Sequence, residues 1–138
     1  MVMSEQEPTR DQMIVIVDDE PANAEMFSMM LEVVGFQTAV VHGTSTAIKA
    51  IQELKPDLVL LDVMMPGIDG LELCRYMKRD PFLAPVPVIM ISARGRDDDV
   101  RAGMDAGADV YLIKPITKTQ LMESVEHTLG LNTHLESR

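Results

Sequence analysis

One cysteine, no tryptophan, two tyrosines and three phenylalanines in 138 residues rule out several kinds of protein. A lone thiol, Cys74, can build neither an internal disulfide framework nor a cysteine-based zinc site. Its neighbours Leu71, Leu73 and Met77 point to a buried, reduced side chain, not a catalytic one. Positive charge is scarce: 12 Lys and Arg against 22 Asp and Glu give a net charge of −10. Direct contact with nucleic acid or an anionic membrane needs a basic footprint, which this balance disfavours. No apolar run approaches the length of a membrane span. The opening segment MVMSEQEPTRDQ is polar and reads as neither signal peptide nor anchor. A Gly-x-x-x-x-Gly-Lys loop is absent, which excludes a kinase or ATPase of that type. The expectation is a cytoplasmic protein with a single domain and an ordinary core.

What is present alternates with unusual regularity. Strand-like aliphatic runs at Met13–Val17, Phe36–Val41, Leu58–Leu61, Val86–Ile91 and Val110–Ile113 are separated by segments with helical spacing. The helices are read from Pro21 to about Val34, Thr44 to Leu54, Gly70 to about Arg79, Asp97 to about Ala106, and from Thr117 onward. In the first helix Met26, Met30 and Val33 stand at helical spacing, and the cluster Met26, Met29, Met30 reads as adaptable core filler in preference to a sticky partner surface. Thr117-x-x-Gln120 is a capping-box pattern. Five βα units with apolar strands imply an α/β, doubly wound five-stranded parallel sheet, flavodoxin-like, with order 2-1-3-4-5. Residues 13–130 form the domain, with 1–12 and 131–138 as tails.

The strands end in polar groups. Met13–Val17 runs into Asp18, Asp19 and Glu20, and Leu58–Leu61 into Asp62. In a 2-1-3-4-5 sheet, strands one and three are neighbours, so these carboxylates meet at the switch point where such folds bind ligands. Clustered carboxylates are relieved by protonation or by a hard cation, and Mg²⁺ suits one or two carboxylates plus water. Asp19 before Glu20-Pro21 also reads as a helix N-cap. Strand four ends in Ser92 and strand five in Lys114. Taken singly, these are a cap and a surface lysine. With the acids they make a ring able to hold a phosphoryl group, with Asp62 as the nucleophile. Lys114-Pro115 is a candidate cis peptide. His42, His127 and His134 show no metal-ligand spacing and receive no role.

Asp18-Asp19, DVMMPGIDG around Asp62, Ser92-Ala93 and GADVYLIKP together resemble the receiver domain of two-component response regulators, over residues 13–130 and in the same order. The 2-1-3-4-5 order is also that family's. The resemblance implies that Asp62 accepts a phosphoryl group from a histidine kinase or histidine phosphotransfer protein. It implies Mg²⁺ held by Asp19, Asp62 and the main-chain carbonyl of Met64, with Asp18 acting through water. Ser92 and Lys114 would contact phosphoryl oxygens, and Ser92 with Tyr111 would form the switch. The fourth helix, fifth strand and fifth helix would face a downstream effector protein, and a phosphorylation-dependent dimer is compatible with this. Met64 and Arg94 would tune water access, and an apolar Met64 implies a long-lived phosphoform. Few residues follow the last helix, so a stand-alone regulator is expected over an excised one. Two competing classes fit less well. An aspartyl-phosphate hydrolase wants a general acid where Met64 stands, and a mononucleotide binder would be repelled by DDEPAN. A phosphorylation-independent scaffold would not require the complete acidic set.

Overall fold

Continuous aliphatic stretches have too few polar side chains to face water, and the three central ones, residues 13–17, 58–62 and 88–92, are buried on both faces. The computed structural model describes residues 11–63 and 70–130. Its elements in chain order are β1 (Met13–Val17), α1 (Pro21–Val33), β2 (Gln37–Val41), α2 (Thr44–Leu54), β3 (Leu58–Asp62), α3 (Gly70–Arg79), β4 (Val88–Ser92), α4 (Asp97–Ala106), β5 (Val110–Ile113) and α5 (Lys118–Thr128). All strand pairs are parallel, in the order β2-β1-β3-β4-β5.

Period-two alternation splits the strand side chains between two cores. Val15, Val17, Val59, Leu61, Val88 and Met90 pack on α2, α3 and α4 through Ile51, Leu73, Met77 and Ala106. Ile14, Ile16, Leu58, Leu60, Ile89 and Ile91 pack on α1 and α5 through Phe27, Leu31, Leu121 and Val125. Each fully buried aliphatic side chain contributes about 1.5–3 kcal/mol relative to exposure. Because α1 and α3 lie on opposite faces, the chain departs in opposite directions after β1 and β3, which opens a crevice between their carboxyl ends.

Several sequence expectations change in detail. α1 buries Ala24, Phe27 and Leu31, while Met26, Met29 and Val33 are 42, 60 and 59% exposed. Apolar residues almost encircle this helix, so spacing alone does not choose the inward face. Met30 alone of that cluster packs against the core, at its margin. β4 begins at Val88, not Val86, because the Val86 N–H bonds the Leu83 carbonyl at 2.9 Å and the Val86 carbonyl takes the Lys78 ammonium at 2.8 Å. Residues 81–86 form the turn before it. β2 begins at Gln37, and Phe36 is buried just before it. The N-cap of α1 is Glu20, not Asp19, with Pro21 in the first turn. The capping box at Thr117 and Gln120 forms as expected, and the Lys114-Pro115 peptide is cis.

Candidate functional site

The strand register builds the site. Val17 pairs with Leu61, so the residues that follow them, Asp18 and Asp62, leave adjacent strands at the same level. Ser92 and Lys114 follow from β4 and β5, whose last pair is Ser92 with Ile113.

Asp18 is 1% exposed. Its Oδ1 accepts the Glu20 N–H at 2.9 Å, which fixes the turn into α1. Its other carboxylate oxygen, Oδ2, is buried without a hydrogen-bond partner. Burial pushes the Asp18 carboxyl up to about 6; the Glu20 N–H opposes this, Asp62 adds to it, Lys114 opposes it, and Asp19 adds to it. The site is therefore short of positive charge or donors around Asp18.

Asp62 is 7% exposed, and Lys114 Nζ donates to its Oδ2 at 3.2 Å. Lys114 is thus an ion-pair partner of the candidate nucleophile, not a surface lysine. Ser92 is fully buried, and its Oγ accepts the Arg94 N–H at 3.0 Å. That leaves the hydroxyl proton free to be donated elsewhere. Ser92 is not the cap of α4, whose N-cap is Arg96. Asp19 is half-buried beside this group. Met64 lies outside the described residues.

Among the described residues, no three His, Cys, Asp or Glu side chains converge tightly enough to be recognised as a metal cage. Mg²⁺ does not require one, since it keeps several waters and is held through one or two carboxylates. The orphan oxygen of Asp18 and its resistance to ionisation are what a hard divalent cation would relieve, so the donor set fits Mg²⁺.

Tyr111 sits next to this end of the sheet. Its hydroxyl donates to the Arg94 carbonyl at 2.9 Å, which ties β5 to the β4–α4 loop. Its ring lies over Gly103 of α4, where an added Cβ would stand 2.6 Å from Tyr111 Cδ2. Sequence reasoning singled out Tyr111 but not this seat, because the glycine lies eight positions away in a helix. It also gave no role to His42, whose Nδ1 lies 2.7 Å from the Asp18 carbonyl oxygen. The position of His42, immediately after the strand beside β1, was the available signal.

Comparison with known proteins agrees with this geometry. The model of the response regulator receiver domain matches residues 14–126. The DNA-binding response regulator MtrA of Mycolicibacterium smegmatis is 42% identical over 90% of this chain and 53% of its own length. The phosphate regulon transcriptional regulatory protein PhoB of Pseudomonas aeruginosa is 40% identical over 84% of this chain and 51% of its own. The chain thus spans about half the length of these curated relatives. Among solved structures, a response regulator of Chloroflexus aurantiacus superposes with a TM-score of 0.83 at 32% identity, covering 88% of this chain and 99% of that one. The BeF3-activated receiver domain of Klebsiella pneumoniae RstA gives 0.79 at 28% identity, covering 85% and 97%. With acids, hydroxyl and lysine gathered at the switch point of the sheet, the chain belongs to the response regulator receiver domains of two-component signalling.

Proposed function

We propose that Asp62 accepts a phosphoryl group from a phosphohistidine of a partner kinase or phosphotransfer protein. The observation that carries this reading is the nearly buried Asp62 held by Lys114 at 3.2 Å, beside an Asp18 oxygen that has no partner. A carboxylate oxygen of Asp62 attacks phosphorus, the P–N bond breaks, and the departing imidazole nitrogen takes a proton. Lys114 and the Ser92 hydroxyl then bind the transferred oxygens, an electrostatic task suited to their fixed positions. Asp19, Asp62 and the Met64 carbonyl would hold Mg²⁺, with Asp18 acting through water. The ion supplies charge neutralisation for the phosphoryl oxygens.

The signal would pass through Ser92. Its Oγ accepts the Arg94 N–H, so drawing the hydroxyl toward a phosphoryl oxygen pulls on the loop that carries the Arg94 carbonyl. Tyr111 would lose its acceptor there and repack, which alters the α4–β5–α5 face read by an effector protein. The net charge of −10 favours protein contact over direct nucleic-acid contact by this domain, in the cytoplasm. The name of MtrA assigns DNA binding, and that of PhoB transcriptional regulation, to those longer proteins.

The test is intact mass after incubation with Mg²⁺ and acetyl phosphate, wild type beside Asp62→Asn. A single phosphoryl adduct is expected that needs Mg²⁺, is lost in Asp62→Asn and is cleaved by hydroxylamine. No adduct from acetyl phosphate or from phosphohistidine donors would sink this reading and leave an unswitched scaffold.

A further inference from the structure

The opposite end of the sheet carries a feature that phosphoryl chemistry does not use. Between α3 and β4 the chain turns through Asp80-Pro81-Phe82-Leu83-Ala84-Pro85. Phe82 is 89% exposed, the most exposed large apolar side chain among the described residues. The turn that presents it is firmly held. Asp80 Oδ1 accepts the Phe82 N–H at 2.8 Å, and the Asp80 carbonyl accepts the N–H groups of Leu83 and Ala84 at 3.1 and 2.7 Å. Lys78 Nζ bonds the carbonyls of Ala84 and Val86 at 3.2 and 2.8 Å. Phe82 also lines a pocket of about 430 Å³, whose walls include Pro56, Leu83 and Val86 and whose polar members include Lys55 and Asp80. Among the described residues Lys55 forms no ion pair.

We propose that this patch is a homodimer interface, in which Phe82 of each copy enters the pocket of the other. In an isologous contact one surface must complement itself: a residue that meets a second is met by it in return. This patch holds both a rigid aromatic knob and a hole with apolar walls. It also carries one cation and one anion, so a two-fold axis sets Lys55 of one copy against Asp80 of the other, twice. That balance matters for a chain of net charge −10, whose copies otherwise repel. An ordered turn reduces the entropy lost on docking, and aromatic anchors in pockets dominate interface energetics. The patch lies at the amino ends of the strands, away from Asp62 at a carboxyl end. The dimer therefore forms with or without phosphorylation and leaves the acid site open.

Sedimentation equilibrium on the full chain, up to about 500 μM at about 0.15 M salt, where the repulsion between copies is screened, tests this. Wild type is expected to dimerise reversibly, equally with acetyl phosphate and Mg²⁺ or with Asp62→Asn. Phe82→Ala, checked by circular dichroism for an intact fold, should weaken association at least about tenfold. Lys55→Glu should weaken it as well, and Asp80→Asn, which keeps an oxygen for the Phe82 N–H while removing the charge, should weaken it in the same direction. A monomer throughout the range overturns the proposal. So does a dimer indifferent to Phe82→Ala, or one that requires phosphorylation.

Discussion

Carboxylates at the two ends of this sheet do opposite work. At the amino ends, Asp57 Oδ2 accepts the Met13 N–H and Asp109 Oδ2 accepts the Val88 N–H, each at 2.8 Å. These acids satisfy the first residues of β1 and β4, and Asp109 also lies 3.6 Å from Lys78. At the carboxyl ends Asp18 and Asp62 are buried, and Asp18 leaves one oxygen without a partner. One end uses acid to finish the fold. The other keeps Asp18 in surroundings that disfavour its charge, as expected where strain is reserved for a ligand.

The largest effect that would test this contrast is at Asp18. A carboxyl whose folded pKa is raised from 3.8 to about 6 binds its proton more tightly when folded. Its contribution to stability is fully present below about pH 3.8 and is lost as pH rises through about 6. At pH 7 the ionised group costs on the order of 2–3 kcal/mol. Asp18→Asn keeps an oxygen for the Glu20 N–H and removes the charge. With chelator at pH 7, urea unfolding should show the variant more stable by about that amount, with the gain fading toward pH 4. Mg²⁺ should stabilise wild type more than the variant. A destabilised Asp18→Asn would place Asp18 with the structural acids and erase the contrast.

The amino end should respond with the opposite sign. Asp109→Ala strips an acceptor from the part-buried Val88 N–H and a counter-charge from Lys78. It should cost about 1–2 kcal/mol in urea while leaving the phosphoryl adduct unchanged. Gly103→Ala should cost a similar amount, about 1–2 kcal/mol, because the edge of the Tyr111 ring must shift and the Met90 sulfur, 3.0 Å from the added Cβ, leaves little room for it. Its signature would be local: Tyr111 ring resonances shift while those of Tyr76 stay in place. Unmoved Tyr111 resonances would mean that α4 yields instead of the ring.

How much of this was legible beforehand depends on what each residue answers to. Strand ends were readable because a buried parallel strand is a continuous aliphatic run, and Asp62, Ser92 and Lys114 interrupt such runs. The strand order, and with it the meeting of Asp18 and Asp62, followed from the alternation of elements and the resemblance. The inward face of α1 was not readable, since Met26, Phe27, Met29, Met30, Leu31 and Val33 offer apolar residues on almost every side. The start of β4 answers to the turn before it, where the Val86 N–H bonds the Leu83 carbonyl at 2.9 Å and the Val86 carbonyl takes Lys78, so an aliphatic residue is still part of the turn. The α1 cap was misplaced by one residue because Asp18, not Asp19, holds the turn by accepting the Glu20 N–H. Gly107 looked like a plain helix stop. It has that role, with φ +115, and it also leaves space for Lys78, whose Cγ would stand 2.5 Å from an added Cβ.

The smallest predicted effect is the most informative about switching. Tyr111→Phe removes one hydrogen bond, from the phenol to the Arg94 carbonyl, and leaves the ring over Gly103. Because that bond is exposed, its loss should cost only about 0.5–1 kcal/mol in the unphosphorylated protein. If phosphorylation pulls the Arg94 loop toward Ser92, the bond is already broken in that state, and the substitution should cost nothing there. A linkage follows: what destabilises only the resting state eases the transition by the same free energy. The shift in unfolding free energy on phosphorylation should therefore be more favourable in Tyr111→Phe than in wild type, by that half to one kilocalorie. Equal losses in both states would show that the phenol keeps its acceptor throughout. The carboxyl end would then change charge without moving this loop, and its difference from the amino end would be one of electrostatics alone.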